Sequence, residues 1–506
     1  MRYRSTRSDT SVSYSFEEAL SSGYAPDGGL FVPVEMPKVS SQTLATWKDF
    51  TFDELAYTIL SMFISETEIG RTDLREIITR SFSGSSYDCP EIVPVKKLTD
   101  SLFVSELFHG PTFCFKDLGM KPVVNLLAYF SARSNVPTTL LISTTGDTGP
   151  AAMRAVSEVR TQERKYVKIL VHYPLGQISA FQRRQLTTIK TGNARVAAFE
   201  GTGDDMDVPI KRLLLSNDRT TNRICGINSY NIGRPIMQVV HFVWTYLQIA
   251  KCLGIIPGDK SAPIDIVIPT GAMGNMIGGY IAKLMGVPIK FLCAGVNAND
   301  ITHRAFASGE FHKSDAMTRT LSEAINIQVP YNFERLLFYL TGSDYELVHQ
   351  WMTTMDETSK LTLDSTWLLK LQAEFRSARI DDEEMCATMR KIKDRFTYLI
   401  DPHTAVAFAA ASRLGYDLGD GNGDKIPVAV MATASPCKFE ETVTVAIGEK
   451  AWLEYYESEV SEDAKRILSC EEIPPMIYHR TEGSSLEETQ NEWEKIARTI
   501  IEEELC

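Results

Sequence analysis

From about residue 137 the chain alternates short β-branched apolar runs with stretches whose apolar positions recur every three or four residues. That rhythm predicts strand–helix units feeding a parallel sheet. Thr138 to Ser143 reads as a strand, followed by the polar turn TTGDTG and a helix from Pro150 through Val156. Tyr166 to Val171 reads as a second strand, with a helix over Ser179 to Gln185 behind it. Ile264 to Ile268 and Ile289 to Val296 bracket GAMGNMIGGYIAKLMG, which gives strand, glycine turn, helix and strand in turn. Between about 300 and 400 the β signal fades into helical periodicity, and Pro427 to Ala432 returns as a buried-type strand. The expectation is an α/β body over residues 96–445 with a helical insertion near 300–400. Residues 1–95 differ, with a turn-rich start and helical pattern from Phe52 to Phe82, and read as a separate N-terminal domain. Residues 446–506 read as a C-terminal helical extension. There Leu486, Trp493, Ile496 and Ile500 form one stripe suited to docking. No internal repeat is found.

A length of 506 residues exceeds what one hydrophobic core fills, which supports several cooperating domains. The net charge of −13 argues against affinity for nucleic acid or anionic lipid, both of which need clustered Lys and Arg. Apolar stretches such as Val123 to Phe130 and Val239 to Ala250 are too short to span a bilayer, so no membrane partner is expected. Nine scattered cysteines without a C-x-x-C pair fit a reducing, cytoplasmic setting and no structural metal. The Arg- and Ser-rich opening MRYRSTRSDTSVSYS has the composition of a transit peptide, a reading taken up below.

Five polar segments carry candidate chemistry. Gly271, Ala272, Met273, Gly274 and Asn275 follow a strand and open a helix, where backbone N–H groups and the helix dipole converge on an anion such as a small phosphate. Thr144, Thr145, Gly146, Asp147 and Thr148 occupy a similar turn; they serve equally as a carboxylate site or as a plain helix cap. Lys116 stands in HGPTFCFKD among Phe113, Phe115 and Leu118, where partial burial turns an amine into a nucleophile, although a lone lysine is commonly a solvated one. Thr433 and Lys438 lie in MATASPCKF at a strand's carboxyl end, and Asn228, Ser229, Asn231 and Arg234 in NSYNIGR.

Taken together these segments resemble the threonine synthase family, and within it the threonine synthase-like 2 proteins of animals. The likeness runs from the first residues to about 445. YRSTR and ALSSGYAPDGGLFVP are similar to the family's N-terminal signature, which starts so near Met1 that no cleavable presequence is expected. HGPTFCFKD resembles the element whose lysine binds pyridoxal 5'-phosphate as a Schiff base, TTGDTG the loop that receives the substrate carboxylate, PTGAMGN the cofactor-phosphate loop, and ATASPCKF the segment whose hydroxyl meets the pyridine nitrogen.

The resemblance implies an α/β fold of fold type II, tryptophan synthase β-like, with two α/β domains, an N-terminal domain and a helical insertion. It implies catalysis by Lys116 and cofactor binding by Lys116, Gly271 to Asn275 and Thr433. Substrate binding falls to Thr144, Thr145, Gly146, Asp147, Thr148, Asn228, Ser229, Asn231, Arg234 and Lys438, the last two being matched in charge to a substrate phosphate. The partner is then a small phosphorylated amino acid, and the assembly a monomer or homodimer. Met273 replaces the family's phenylalanine, Ser435 its histidine, and NSYNIGR lacks the tryptophan often found before the arginine. These departures point to a phospho-lyase that takes O-phosphohomoserine, and O-phosphothreonine with it, to 2-oxobutanoate, ammonia and phosphate. The alternatives are a threonine synthase and a non-catalytic descendant that keeps the fold.

Overall fold

Two larger sheets bring the carboxyl ends of central strands to the cleft, and two strand pairs lie outside them. The computed structural model describes residues 1–83, 86–216, 222–419, 421 and 426–505. The larger sheet runs Phe375–Arg379, Ile289–Val296, Ile264–Pro269, Val428–Ala432, Leu102–Glu106, Val95–Lys97, parallel throughout except for the last pair. The smaller runs Met476–Tyr478, Ala194–Phe199, Val167–Pro174, Thr138–Ser143, Arg223–Gly226, all parallel. Ile264–Pro269, Val428–Ala432 and Thr138–Ser143 are buried along their whole length, which explains their continuous apolar runs: strands covered on both faces need no polar alternation.

Two long helices, Lys116–Ser134 and Gly233–Leu253, pack against each other and are buried on almost every side. The N-terminal region adds a strand pair, Tyr3–Ser5 with Phe31–Pro33, and splits its helical stretch into Phe52–Phe63 and Arg71–Ser81. Its apolar side chains join the core around the long helices, Phe52 meeting Trp244 edge-on at 5.5 Å between ring centres.

The region near 300–400 is dominated by helices but also carries short strands. Helices Ile301–Ser308, Phe333–Leu340, Tyr345–Thr358, Ser365–Glu374 and Asp382–Phe396 are interrupted by the antiparallel pair Glu310–His312 and Lys360–Thr362, and Phe375–Arg379 joins the larger sheet as an edge strand. In the C-terminal part, Met476–Tyr478 extends the smaller sheet ahead of the helix Leu486–Thr499, whose start is fixed by a capping box between Ser485 and Glu488. Trp493 is fully buried against Phe199, whereas Leu486 is 40% exposed and lies off the docked stripe. Among the described residues no helix is long and apolar enough to cross a membrane, no group of His, Cys, Asp and Glu is arranged to hold a metal ion, and no two cysteines are joined as a disulfide.

Candidate active site

A cleft of about 990 Å³ opens where the two sheets and the two long helices meet. Lys116 is the first residue of its helix and half-buried in the cleft wall. The turn that delivers it is pinned to the end of Val428–Ala432: Phe115 N–H donates to the Thr433 carbonyl at 2.8 Å, and Ser435 N–H to that of Phe113 at 3.0 Å. Phe113 takes φ +59°, and Asp117 braces the same turn by accepting from Thr112 N–H at 2.8 Å and Thr112 Oγ1 at 2.6 Å. Burial pushes the Lys116 amine below the usual lysine range; Asp147 opposes this shift, and Arg234 and Lys438 reinforce it. A less basic amine attacks an aldehyde more readily and exchanges protons with a carbon acid more readily.

Gly271 to Asn275 form the wall facing Lys116, and the helix Gly274–Met285 begins there with no side-chain cap, so its first N–H groups are left for an anion. Met273 adopts φ +61°, and a Cβ on Gly274 would stand 2.5 Å from that of Ser229, so the loop and the NSYNIGR segment touch only because glycine is there. Thr144, Thr145, Asp147 and Thr148 line another wall. The Thr144 hydroxyl accepts from Gly146 N–H at 3.1 Å and Gly149 N–H at 3.0 Å, while the Asp147 carboxylate turns away to Lys438 at 3.0 Å and Gln182 at 2.8 Å. Asp147 therefore does not cap the helix Thr148–Ser157, whose first turn is met instead by the Thr144 hydroxyl.

Thr433 lines the cleft, its N–H on Thr404 Oγ1 at 3.3 Å. Asn228, Ser229 and Arg234 line it as well. Three expected residues lie elsewhere. Gly146, at φ +139°, packs against Gln182; Asn231 is buried, bonding the carbonyls of Leu20 at 2.7 Å and Gly226 at 2.9 Å. Lys438 corrects a reading: fully buried behind the carboxylate loop, it bonds Asp147, the Thr112 carbonyl at 2.7 Å and Gln185 Oε1 at 2.9 Å. An ammonium has three protons, so none is left for a substrate phosphate. Ser435 likewise stays outside the cleft wall, near Tyr455.

The sequence reading missed His403, Tyr331, Asp204 and Asp207, all in the cleft wall. His403 Nδ1 faces Asp401 Oδ2 at 2.7 Å and its Nε2 accepts from Ala324 N–H at 3.1 Å, which fixes the neutral ring with its proton on Nδ1. The available signal was Asp401-Pro402 at a helix start. Asn275 Nδ2, Gln238 Oε1, Asn228 Oδ1 and Arg234 Nε are buried without hydrogen-bond partners among the described residues, and all four belong to cleft-lining side chains. Buried polar atoms are rarely left unpaired, so the cleft is built for a polar ligand.

An amine at a helix start, an uncapped glycine loop opposite it and a hydroxyl at a strand end, set between two parallel sheets, define a pyridoxal-phosphate-dependent enzyme of fold type II. Family models described as "Threonine synthase N terminus" and "Threonine synthase, C-terminal" match residues 2–82 and 404–474. Threonine synthase-like 2 of Xenopus laevis is 36% identical over 99% of this chain and 98% of its own, and threonine synthase of Saccharomyces cerevisiae 33% identical over 92% and 93%. The crystal structure of threonine synthase from yeast superposes with a TM-score of 0.85 at 32% identity, covering 100% of this chain and 98% of that one. The PLP-bound threonine synthase from Brucella melitensis gives 0.82 at 28% identity, covering 98% and 100%. The chain belongs to the threonine synthase family, and is a pyridoxal-phosphate-dependent lyase.

Proposed function

We propose that this chain releases phosphate from O-phosphohomoserine, and from O-phosphothreonine as a second substrate, and that its main carbon product is 2-oxobutanoate, with ammonia. Bound pyridoxal phosphate supplies an electron sink for the substrate's α-carbon. Gly271 to Asn275 hold the cofactor's phosphate, and the Thr433 hydroxyl meets its pyridine nitrogen. Thr144 to Thr148 take the substrate carboxylate at the start of the helix Thr148–Ser157. Lys116, with its reduced proton affinity, would remove the α-proton, return it to the cofactor-bound substrate and so be free to remove a β-proton, and Arg234, whose guanidinium burial pushes down to about 10, stays cationic at neutral pH to face the substrate phosphate.

The observation that carries the choice of product is the apolar wall. Met273, Ile325, Ile327 and Val329 line the cleft, side chains with no group to hold a water for attack on the β-carbon. A nucleophile that is not positioned loses most of its advantage, which favours release of the unsaturated product and its hydrolysis. Ser435 adds nothing to this argument, since it lies outside the wall. Incubation of the purified protein with O-phosphohomoserine, with phosphate, threonine and 2-oxobutanoate measured together, tests it. More 2-oxobutanoate than threonine is expected; threonine equal to phosphate would establish a threonine synthase instead. Lys116→Ala should release no phosphate, and an active variant would sink the assignment of the lysine.

A further inference from the structure

Breaking the C–O bond of a phosphate monoester dianion expels a trianion unless a proton arrives as the bond breaks. Lys116 is committed to carbon-bound protons, Arg234 keeps its charge, and Lys438 has no donor to spare. His403 directs its Nδ1 to Asp401 and accepts at Nε2, and burial pushes the Tyr331 phenol up to about 12, which leaves the carboxyls of Asp204 and Asp207. Both line the cleft, and both also line a second chamber of about 920 Å³ between the N-terminal segment, the helix Asp207–Leu215 and the region around Phe311 to Asp356. The two carboxyls are not equivalent. Gln328 N–H donates to Asp204 Oδ2 at 3.4 Å, which favours the charged form there, whereas the Asp207 carboxyl accepts no hydrogen bond among the described residues. Arg234, 1% exposed, lines the same cleft with an unpartnered Nε, a buried cation that calls for an anionic ligand.

We propose that Asp207 is the general acid for phosphate departure, a role that rests on the phosphate-releasing reading above. As Lys116 takes the β-proton, the C–H electron pair forms the Cβ=Cγ double bond and the C–O pair passes to the bridging oxygen. The Asp207 proton moves to a phosphate oxygen, so hydrogen phosphate leaves and Asp207 becomes a carboxylate. Solvent restores the proton through the second chamber, away from the reacting carbons.

The surroundings favour the protonated carboxyl. Burial pushes Asp207 well above the usual carboxylate range, Asp204 and Asp205 push it further, and only Lys313 opposes them. Tyr24, Tyr230 and Tyr331 face the same carboxyl as neutral phenols, each held above its usual range by its own burial. The donor is present below this raised value and lost as pH rises through it.

Asp207→Asn decides the matter. After borohydride reduction and peptide mapping it should carry the same pyridoxyl adduct on Lys116 as the native protein, showing a folded, loaded site. Its kcat for phosphate release from O-phosphohomoserine should fall by about 100-fold or more, the usual span of a lost general acid. The native protein's decline at alkaline pH should vanish from the residual rate, and Asp207→Glu should restore part of the activity and the decline. Native-like kcat with an unchanged pH profile would overturn the proposal, and so would loss of the adduct, which would make Asp207 structural. Absence of phosphate release from the native protein would instead overturn the functional reading.

Discussion

At the scale of single residues, the site follows from where each side chain is tethered. Thr433 is 6% exposed and held by its backbone to both Phe115 and Thr404, so its hydroxyl is placed by the Lys116 turn and by the Asp401 helix cap together. Thr433→Val, nearly isosteric, keeps those backbone bonds and removes only the hydroxyl. It should cost about 1–3 kcal/mol of catalysis, the penalty of a buried partner left unpaired, and shift the absorbance of the bound cofactor; unchanged spectrum and turnover would refute its contact with the ring. Lys116, Thr433 and the glycine loop were legible in the sequence because each motif is contiguous in the chain. His403, Tyr331 and the pair Asp204 and Asp207 were not, because they come from three separate segments that only folding brings to the cleft. Lys438 was misplaced because five residues from Thr433 say nothing of direction: the turn Pro436–Lys438 sends it behind the carboxylate loop.

At the scale of elements, the fully buried parallel strands were read well, while Met476–Tyr478 was missed. It is short, follows Pro474 and Pro475, and exposes Ile477 by 45%, so it carries neither a long apolar run nor a clean alternation. Phe375–Arg379 was hidden for a related reason: FRSAR holds two arginines, and its pairing with Ile289–Val296 pays no regard to local propensity. The carboxylate loop shows how elements are joined across the cleft. Burial works to raise the Asp147 carboxyl, but Lys438 above all, then Lys116, holds it well below the usual range. Its stabilising contribution is present above the unfolded carboxylate range and lost as pH falls through the depressed value. Lys438→Met strands that charge and should cost about 3–5 kcal/mol in urea denaturation, whereas Lys438→Met with Asp147→Asn should recover much of the loss. Equal destabilisation by the single and double variants would show that the pair is not coupled.

At the scale of the whole molecule, stability depends on histidines far from one another. His172 sits in the smaller sheet with Nδ1 facing the Ile142 carbonyl at 3.3 Å; His241, on the long helix beside the cleft, bonds Asn275 Oδ1 at 2.8 Å and leaves its Nδ1 buried with no partner. Burial pushes both down to about 4, so neither accepts a second proton in the folded state while both do when unfolded. Their contribution is complete above the unfolded histidine value of about 6.5 and is lost as pH falls toward 4, by at most about 3 kcal/mol each. His109 has the opposite sign. Its burial lowers its affinity for a proton, but Asp88 and Glu106, at 2.5 and 2.9 Å, raise it to about 9, so its contribution is complete below about 6.5 and lost as pH rises through 9. Buried Asp117, pushed up to about 6, and Asp207 act with the reverse sign over the acid range, so the test is made on the difference between proteins. In urea denaturation His172→Phe should gain less stability than the native protein between pH 4.5 and 6.5 and follow it on the alkaline side. A variant whose midpoint tracks the native one through pH 4.5 to 6.5 would show that the buried His172 ring does not contribute to acid unfolding.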